Sequence, residues 1–371
     1  MVEVVQPPIG EPNRVERWDP AQRMLLVETA EQLKPGLKEV GIQMTQGRIV
    51  VEGSDETNPH LVTRLYVSAS TEEEAKKYVG EKKGEFEVRK GQGSLSVDAR
   101  SQEGVAFGGG SVVIGGGRSV VIGGDLVGGT VIGGGEVWIN GQRVDLSRGG
   151  AQVVPSTQRE VVLKVPMADQ LRYNLETQAG AIEVKRTGGE CRVTTSAAGV
   201  QISEFEGEDN LNNRSGDVEI EKFRGELSLN ATSGDVEIEE FDGVINLVAT
   251  SGDVKLGRAT VKGRANNIRA TSGDIRVGVA NDSLAVTAET MSGKIRTPQG
   301  SEFVIVREDR PKKEGGAFGR GTVVIASGAS VVSIGGSGGR SMVEGRFGQI
   351  EKPENRLNLN ATSGDITIAK S

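Results

Sequence analysis

One cysteine and one histidine are all the chain has of the two residues that most often build metal centres and nucleophilic sites. Cys191 alone leaves no internal disulfide framework and no cysteine-based zinc site. His60 alone leaves no histidine metal cluster and no ordinary catalytic triad. Aromatic residues make up only 4% of the 371, too few for a platform that stacks bases or sugars. A cationic surplus is missing too. The 44 Lys and Arg against 51 Asp and Glu give a net charge of −7, so no nucleic-acid partner is expected. No run of about 18 apolar residues occurs, which excludes a transmembrane helix. Met1–Pro20 lacks a cationic start followed by an apolar stretch, so no signal peptide is read and the chain as written is expected in the cytoplasm. A leader already removed would instead place it at the cell surface.

Glycine is what the chain has in excess, with 54 residues, about twice the usual share. Many of them keep time. Ser-Gly-Asp recurs at Ser215-Gly216-Asp217, Ser233-Gly234-Asp235, Ser251-Gly252-Asp253, Ser272-Gly273-Asp274 and Ser363-Gly364-Asp365. Ser292-Gly293-Lys294 keeps the turn and changes the charge, and weaker forms stand at Gly180 and Gly199. From Gly180 to Gly293 the spacings are 19, 17, 18, 18, 21 and 20 residues. A near-constant period of this size marks stacked repeats.

Each repeat has one grammar. After the turn comes period-two alternation (Val218 and Ile220, Val236 and Ile238, Val254 and Leu256) with charged residues between. A corner Phe-x-Gly follows at Phe205, Phe223 and Phe241, then a second alternating strand. One such unit cannot bury its apolar row alone, whereas stacked copies share a continuous core. The expected fold is therefore all-β, a β-solenoid of 18–21-residue repeats with Phe205, Phe223 and Phe241 forming a core ladder. A β-sandwich of hairpins also gives evenly spaced strands, but it does not require turn, corner and strand to return in one phase.

Along the chain, residues 1–20 read as an extended lead-in. Residues 21–103 form a β-rich part with strands at Met24–Val27, Arg48–Glu52, Leu61–Val67, Glu85–Arg89 and Ser94–Ala99. One short helix is expected at Thr71–Val79, capped by Ser70 or Thr71. Residues 104–150 are a Gly/Val-rich insert, 151–297 the regular repeats, 298–347 a second such insert and 348–371 a final repeat. Ala106–Ile122 and Ala317–Ser333 share 11 of 17 residues, so the inserts contain two copies of one element. Short Val-Val-Ile runs set off by glycine read as local hairpins or extra solenoid turns, and their low charge makes homo-oligomer contact through 104–135 and 315–345 the alternative reading.

The stacked aspartates Asp217, Asp235, Asp253, Asp274 and Asp365 are the tempting site for a cation or for carboxylate catalysis. Beside Ser and Gly they read better as turn residues, with Gly216, Gly234, Gly252, Gly273 and Gly364 supplying positive φ. Lys294 in the equivalent place shows that the charge is dispensable. No helix follows the glycine runs around Gly108–Gly117, so they are not a phosphate or dinucleotide loop. Cys191 reads as a semi-buried small residue and His60 as a solvated turn residue. Asn230, Asn281 and Asn360 match the N-glycosylation pattern but are read as asparagines that hydrogen-bond beside the turns. No catalytic residue, metal or cofactor is assigned.

Three features together carry a resemblance. Gly47-Arg48-Ile49-Val50-Val51-Glu52-Gly53 gives an early G-x-I/V-x-V-x-G strand, and a short acidic helix and iterated T/A-S-G-D-V/I units follow. The layout resembles the bacterial β-strand-repeat family known as putative adhesins, a domain of unknown function. The resemblance covers about residues 40–100, 159–297 and the final 15, and implies a β-helix-like fold and no established enzymatic activity. The expected function is a non-enzymatic scaffold whose repetitive faces contact another macromolecule or a second copy. One alternative is an exported adhesin binding polysaccharide or a cell surface, and a polysaccharide or a protein surface is the candidate partner. A polysaccharide-cleaving β-helix enzyme is the other.

Overall fold

Parallel register, residue on residue, dominates the structure. The computed structural model describes residues 10–80, 86–99, 120–122, 136–139, 142–145, 156–298, 303–309, 333–334, 341–348 and 353–371. Strand Val218–Ser233 turns Val218, Ile220, Phe223, Leu227, Leu229 and Ala231 into the core, and Val236–Ser251 does the same with Val236, Ile238, Phe241, Ile245, Leu247 and Ala249. The two lie in parallel with Val218 opposite Val236, Phe223 opposite Phe241 and Leu229 opposite Leu247. Between Ile220 and Phe223 the alternation slips by one residue, which marks the corner. One long strand thus contributes to two ladders that face each other across a single core. At roughly 1.5–3 kcal/mol per large apolar side chain, the six inward residues of Val218–Ser233 contribute on the order of 10 kcal/mol before chain entropy is subtracted.

Glycine is compulsory at the corner. Gly225 has φ +130° and Gly243 φ +156°, and a Cβ on either would lie 1.9 or 1.8 Å from the carbonyl oxygen of the corner glycine one rung earlier. Stacking leaves no room for a side chain there.

From Leu171 to Val279 the rungs follow chain order. At both ends they do not. Strand Glu39–Ser54 lies between later segments. Its first half sits between Ser94–Ala99 and Leu171–Lys185, and its second half between Ser156–Pro166 and Leu171–Lys185. Likewise, the C-terminal strands Arg356–Ser363 and Ile366–Lys370 slide between Asn266–Ser272 and Ile275–Val279 on one side and Leu284–Ser292 and Ile295–Arg296 on the other. The repeat at 348–371 is therefore final in the chain and penultimate in the stack.

Antiparallel strands close each end. Ser156–Pro166 is followed outward by His60–Ser68, Met24–Gln32 and Asn13–Asp19. The expected lead-in 1–20 thus includes a true strand, Asn13–Asp19. Helix Glu72–Gly80 packs Ala75 and Val79 with Leu25, Val27, Leu65 and Val67, and Thr71 caps it, its Oγ1 accepting the Glu74 N–H at 3.2 Å. At the other end, within the second Gly/Val-rich segment 298–347, Ser341–Phe347 adds antiparallel to Leu284–Ser292, and Phe303–Asp309 adds antiparallel to Ser341–Phe347. Of the inserts themselves, Val120–Ile122, Glu136–Ile139 and Gln142–Asp145 form a small separate sheet, and Ser333–Ile334 pairs antiparallel with Ile295–Arg296. Most of 104–135 and 315–345 lies outside the described residues.

Candidate functional site

The Thr-Ser-Gly-Asp turns gather on one edge of the stack. Gly216, Gly234, Gly252, Gly273 and Gly364 all have positive φ, between +107° and +152°. Each Asp then bonds to the next rung rather than within its own turn. Asp217 Oδ1 accepts the backbone N–H of Asp235 at 2.9 Å, and Asp235 Oδ1 that of Asp253 at 2.7 Å. Asp253 accepts from Asp274, Asp274 from Asp365 and Asp365 from Lys294, at 2.9, 2.9 and 2.8 Å. The order of this column is spatial, with Asp365 ahead of Lys294, so the single cation ends it.

Charge along the column is balanced locally. Arg276 bonds Asp274 at 3.0 Å and lies 3.6 Å from Asp253, and Arg296 bonds Asp365 at 2.8 Å. Burial alone would raise the Asp365 carboxyl, but the Lys294 N–H and the Arg296 guanidinium hold it below the usual range. Among the described residues no group of three or more His, Cys, Asp or Glu is placed to hold a metal ion. Chemically, the column is a row of charge-assisted caps that fixes rung register.

Phe205, Phe223 and Phe241 stack inside the corner with centroids 5.6 and 5.9 Å apart. Beside them an open groove of about 210 Å³ is lined by Met167, Arg186, Glu204, Phe205, Lys222 and Arg224 among others, and its Lys222–Glu204 pair is 3.3 Å apart. Asn230 donates to Asn212 one rung away at 3.1 Å, and Asn360 stands on the same outward row beyond Arg269. Asn281 is buried and caps the Val261 backbone through both its amide atoms.

His60 corrects the expectation of a solvated turn. It opens strand His60–Ser68, its side chain is only 14% exposed, and Nε2 lies 2.7 Å from Glu56. Cys191 is fully buried, and burial pushes its thiol up, with the Asp209 carboxylate adding to this.

Two arrangements were not anticipated. Asp209 stands in an inward column, Tyr173–Cys191–Asp209–Leu227, and is 3% exposed. Neither of its oxygens reaches hydrogen-bonding geometry with a neighbouring group; burial pushes its carboxyl up to about 7, and the Asn210 N–H only moderates that. The available signal was alignment of repeats, since Leu227 and Ile245 occupy the same column. The second arrangement is a row of alternating charge across four end strands, Glu28–Arg64–Glu160–Arg48, in direct register. Arg64 bonds Glu28 at 2.7 Å and Glu160 at 2.8 Å, and Arg48 reaches Glu160 at 3.0 Å and grips Glu183 with two bonds, at 2.6 and 2.8 Å. The Arg48 bond holds the Glu183 carboxyl below its usual range despite burial.

Fold and site together define a β-solenoid whose polar turns are committed to its own stacking. The chain belongs to the family described as Toastrack DUF4097, whose model matches residues 129–339, more than half of the sequence. No curated protein matches. Among solved structures, a putative cell adhesion protein from Clostridium sporogenes ATCC 15579 is similar at 9% identity, covering 97% of this chain and 100% of that one, with a TM-score of 0.19. Putative adhesins from Parabacteroides distasonis ATCC 8503 and Parabacteroides merdae ATCC 43184 are 11% and 10% identical. They cover 68% of this chain and 90% and 89% of theirs, with TM-scores of 0.25 and 0.24.

Proposed function

We propose that the chain is a non-enzymatic interaction scaffold, a rigid solenoid that presents its rows to another macromolecule and to further copies of itself. One observation carries this reading. The carboxylates that could have served chemistry each give an oxygen to the next rung, Asp217 to Asp235 through to Asp365 to Lys294. Groups so employed have a structural task, fixing one rung on the next, that accounts for their recurrence without chemistry.

Contact between copies is assigned to the Gly/Val-rich segments 104–135 and 315–345. Supporting this, Ser333–Ile334 adds to Ile295–Arg296, the last parallel strand of its ladder, where one more strand is accepted. Light scattering on the full chain and on a variant lacking 104–135 tests the reading. Assembly that depends on concentration and weakens on deletion is expected. A chain that remains monomeric throughout and lights up a glycan array favours the adhesin reading instead. Activity on a glycan substrate that disappears in Asp235→Asn or Asp253→Asn overturns the non-enzymatic assignment.

A further inference from the structure

One outward row of the solenoid has a charge order that reads as its own complement when reversed. Following register across the ladder, the row runs Glu183, Gln201, Glu219, Glu237, Lys255, Arg276, Thr367 and Arg296. Its midpoint falls between Glu237 and Lys255. Counting outward from there, Glu237 is matched with Lys255, Glu219 with Arg276, Gln201 with Thr367 and Glu183 with Arg296. Every pair is acid with base, or polar with polar. The insertion of the C-terminal strands creates this order, because it places Thr367 between Arg276 and Arg296.

We propose that this face is an interface for a second copy of the chain, packed face to face and antiparallel about a two-fold axis that crosses the row between Glu237 and Lys255. An axis in that position keeps each row opposite itself and reverses its direction. Glu219 and Glu237 of one copy then meet the partner's Arg276 and the partner's Lys255. The parallel arrangement would set glutamate on glutamate and cation on cation, which electrostatics disfavours.

Shape agrees with charge. Beside the acidic half stand the exposed side chains of Glu221 and Glu239, whereas beside the cationic half stand Gly257, Gly278 and Ala369. Gly278 lies directly against Gly257, and Ala369 is in register with Gly278. Reversal brings the bulky half of one copy over the bare half of the other. Within a single chain the four central charges are only lightly used, whereas Glu183 at the end of the row is buried and held by Arg48. Lys255 pairs with Glu237 and Arg276 with Asp274, all at half-exposed positions where such pairs contribute little. The partner's Glu237 adds a carboxylate to Lys255, and the partner's Glu219 adds one to Arg276.

The row spans eight rungs, about 34 Å at a 4.8 Å step, and two residues in width give roughly 400 Å² per copy. That is the range of weak, transient contacts, so association should be modest and sensitive to salt. The inference deepens the scaffold reading by naming a face, and it stands apart from the Gly/Val-rich segments.

Sedimentation of the full chain tests it, with Glu219→Lys/Glu237→Lys as one variant and Lys255→Glu/Arg276→Glu as the other. Wild type should dimerise at low salt and lose about tenfold in affinity as salt shortens the screening length from about 20 Å to about 4 Å. Each variant alone presents one sign at all four central positions of the row and should be monomeric, and an equimolar mixture should recover the dimer. Thermal melts matching wild type show that the variants fold. A wild type monomeric at low salt, a variant that dimerises alone, or a mixture that stays monomeric overturns the proposal. If deletion of 104–135 abolishes assembly and the charge variants do not, the face is refuted and the insert contact stands. The reverse pattern refutes the insert contact and leaves the face.

Discussion

Replacing Asp209 should stabilise the protein, and by an amount that depends on pH. The carboxyl sits in an apolar column between Cys191 and Leu227, and burial raises its pKa from 3.8 to about 7. The folded chain therefore holds a proton that the unfolded chain has released between those values. Stability linked to this group is fully present below about pH 4 and declines as pH rises towards 7. The interval corresponds to about 4 kcal/mol at roughly 1.4 kcal/mol per pH unit. Asp209→Leu supplies the residue found one rung on, and Asp209→Asn keeps the shape without the charge. Urea unfolding of wild type and both variants at about pH 4.5 and about pH 8.5 isolates the effect, because other titrations cancel in the difference. The variants should gain about 3 kcal/mol more over wild type at the higher pH. A difference that does not change with pH would mean that Asp209 is solvated or partnered, and the assignment would fail.

Four further outcomes follow from the geometry. Gly225→Ala should cost more than about 3 kcal/mol in thermal melts because its Cβ would lie 1.9 Å from the Gly207 oxygen, whereas Gly263→Ala, with φ +73° and open space, should cost about 1 kcal/mol. Phe223→Ala removes the middle ring of the corner stack and should cost about 3–5 kcal/mol by denaturant titration, more than an exposed Met167→Ala. Asp235→Ala loses the acceptor for the Asp253 N–H and should cost about 1 kcal/mol, while Asp235→Asn keeps an oxygen there and should cost little in the same melts. Removing residues 353–371 should strip hydrogen-exchange protection from 284–296 while 189–249 keeps it, since the lost strands bond both Ile275 and Lys294.

Much of this architecture was legible because the repeat does two jobs with the same residues. The Ser-Gly-Asp spacing marks both a turn and the rung height, and Val-x-Ile alternation marks both a strand and its buried side. Phe205, Phe223 and Phe241 were readable for the same reason. The rung order was not. Asn360–Asp365 matches Asn230–Asp235 letter for letter, so local pattern leaves several neighbours equally acceptable to that strand, and its place is decided by what else must fit at that end. Asp209 was hidden in Glu206-Gly207-Glu208-Asp209-Asn210, which reads as solvated loop until the column partners are known. His60 misled through its neighbour Pro59, which suggests a turn although the strand begins one residue later. In the row Glu28–Arg64–Glu160–Arg48, Glu160 is 96 and 112 residues from the two arginines it joins, and charges so distant declare no relationship along the chain.

The placement of the last strands has a consequence for how the molecule is made. A wedge cannot be driven between planks that are already nailed together. The edge offered by Asn266–Val279 and the one offered by Leu284–Arg296 must remain apart until Arg356–Lys370 has been made and can enter between them. Only then can the far cap seat, so the arrival of these two strands, and not the appearance of each rung, sets the moment at which that end of the stack locks.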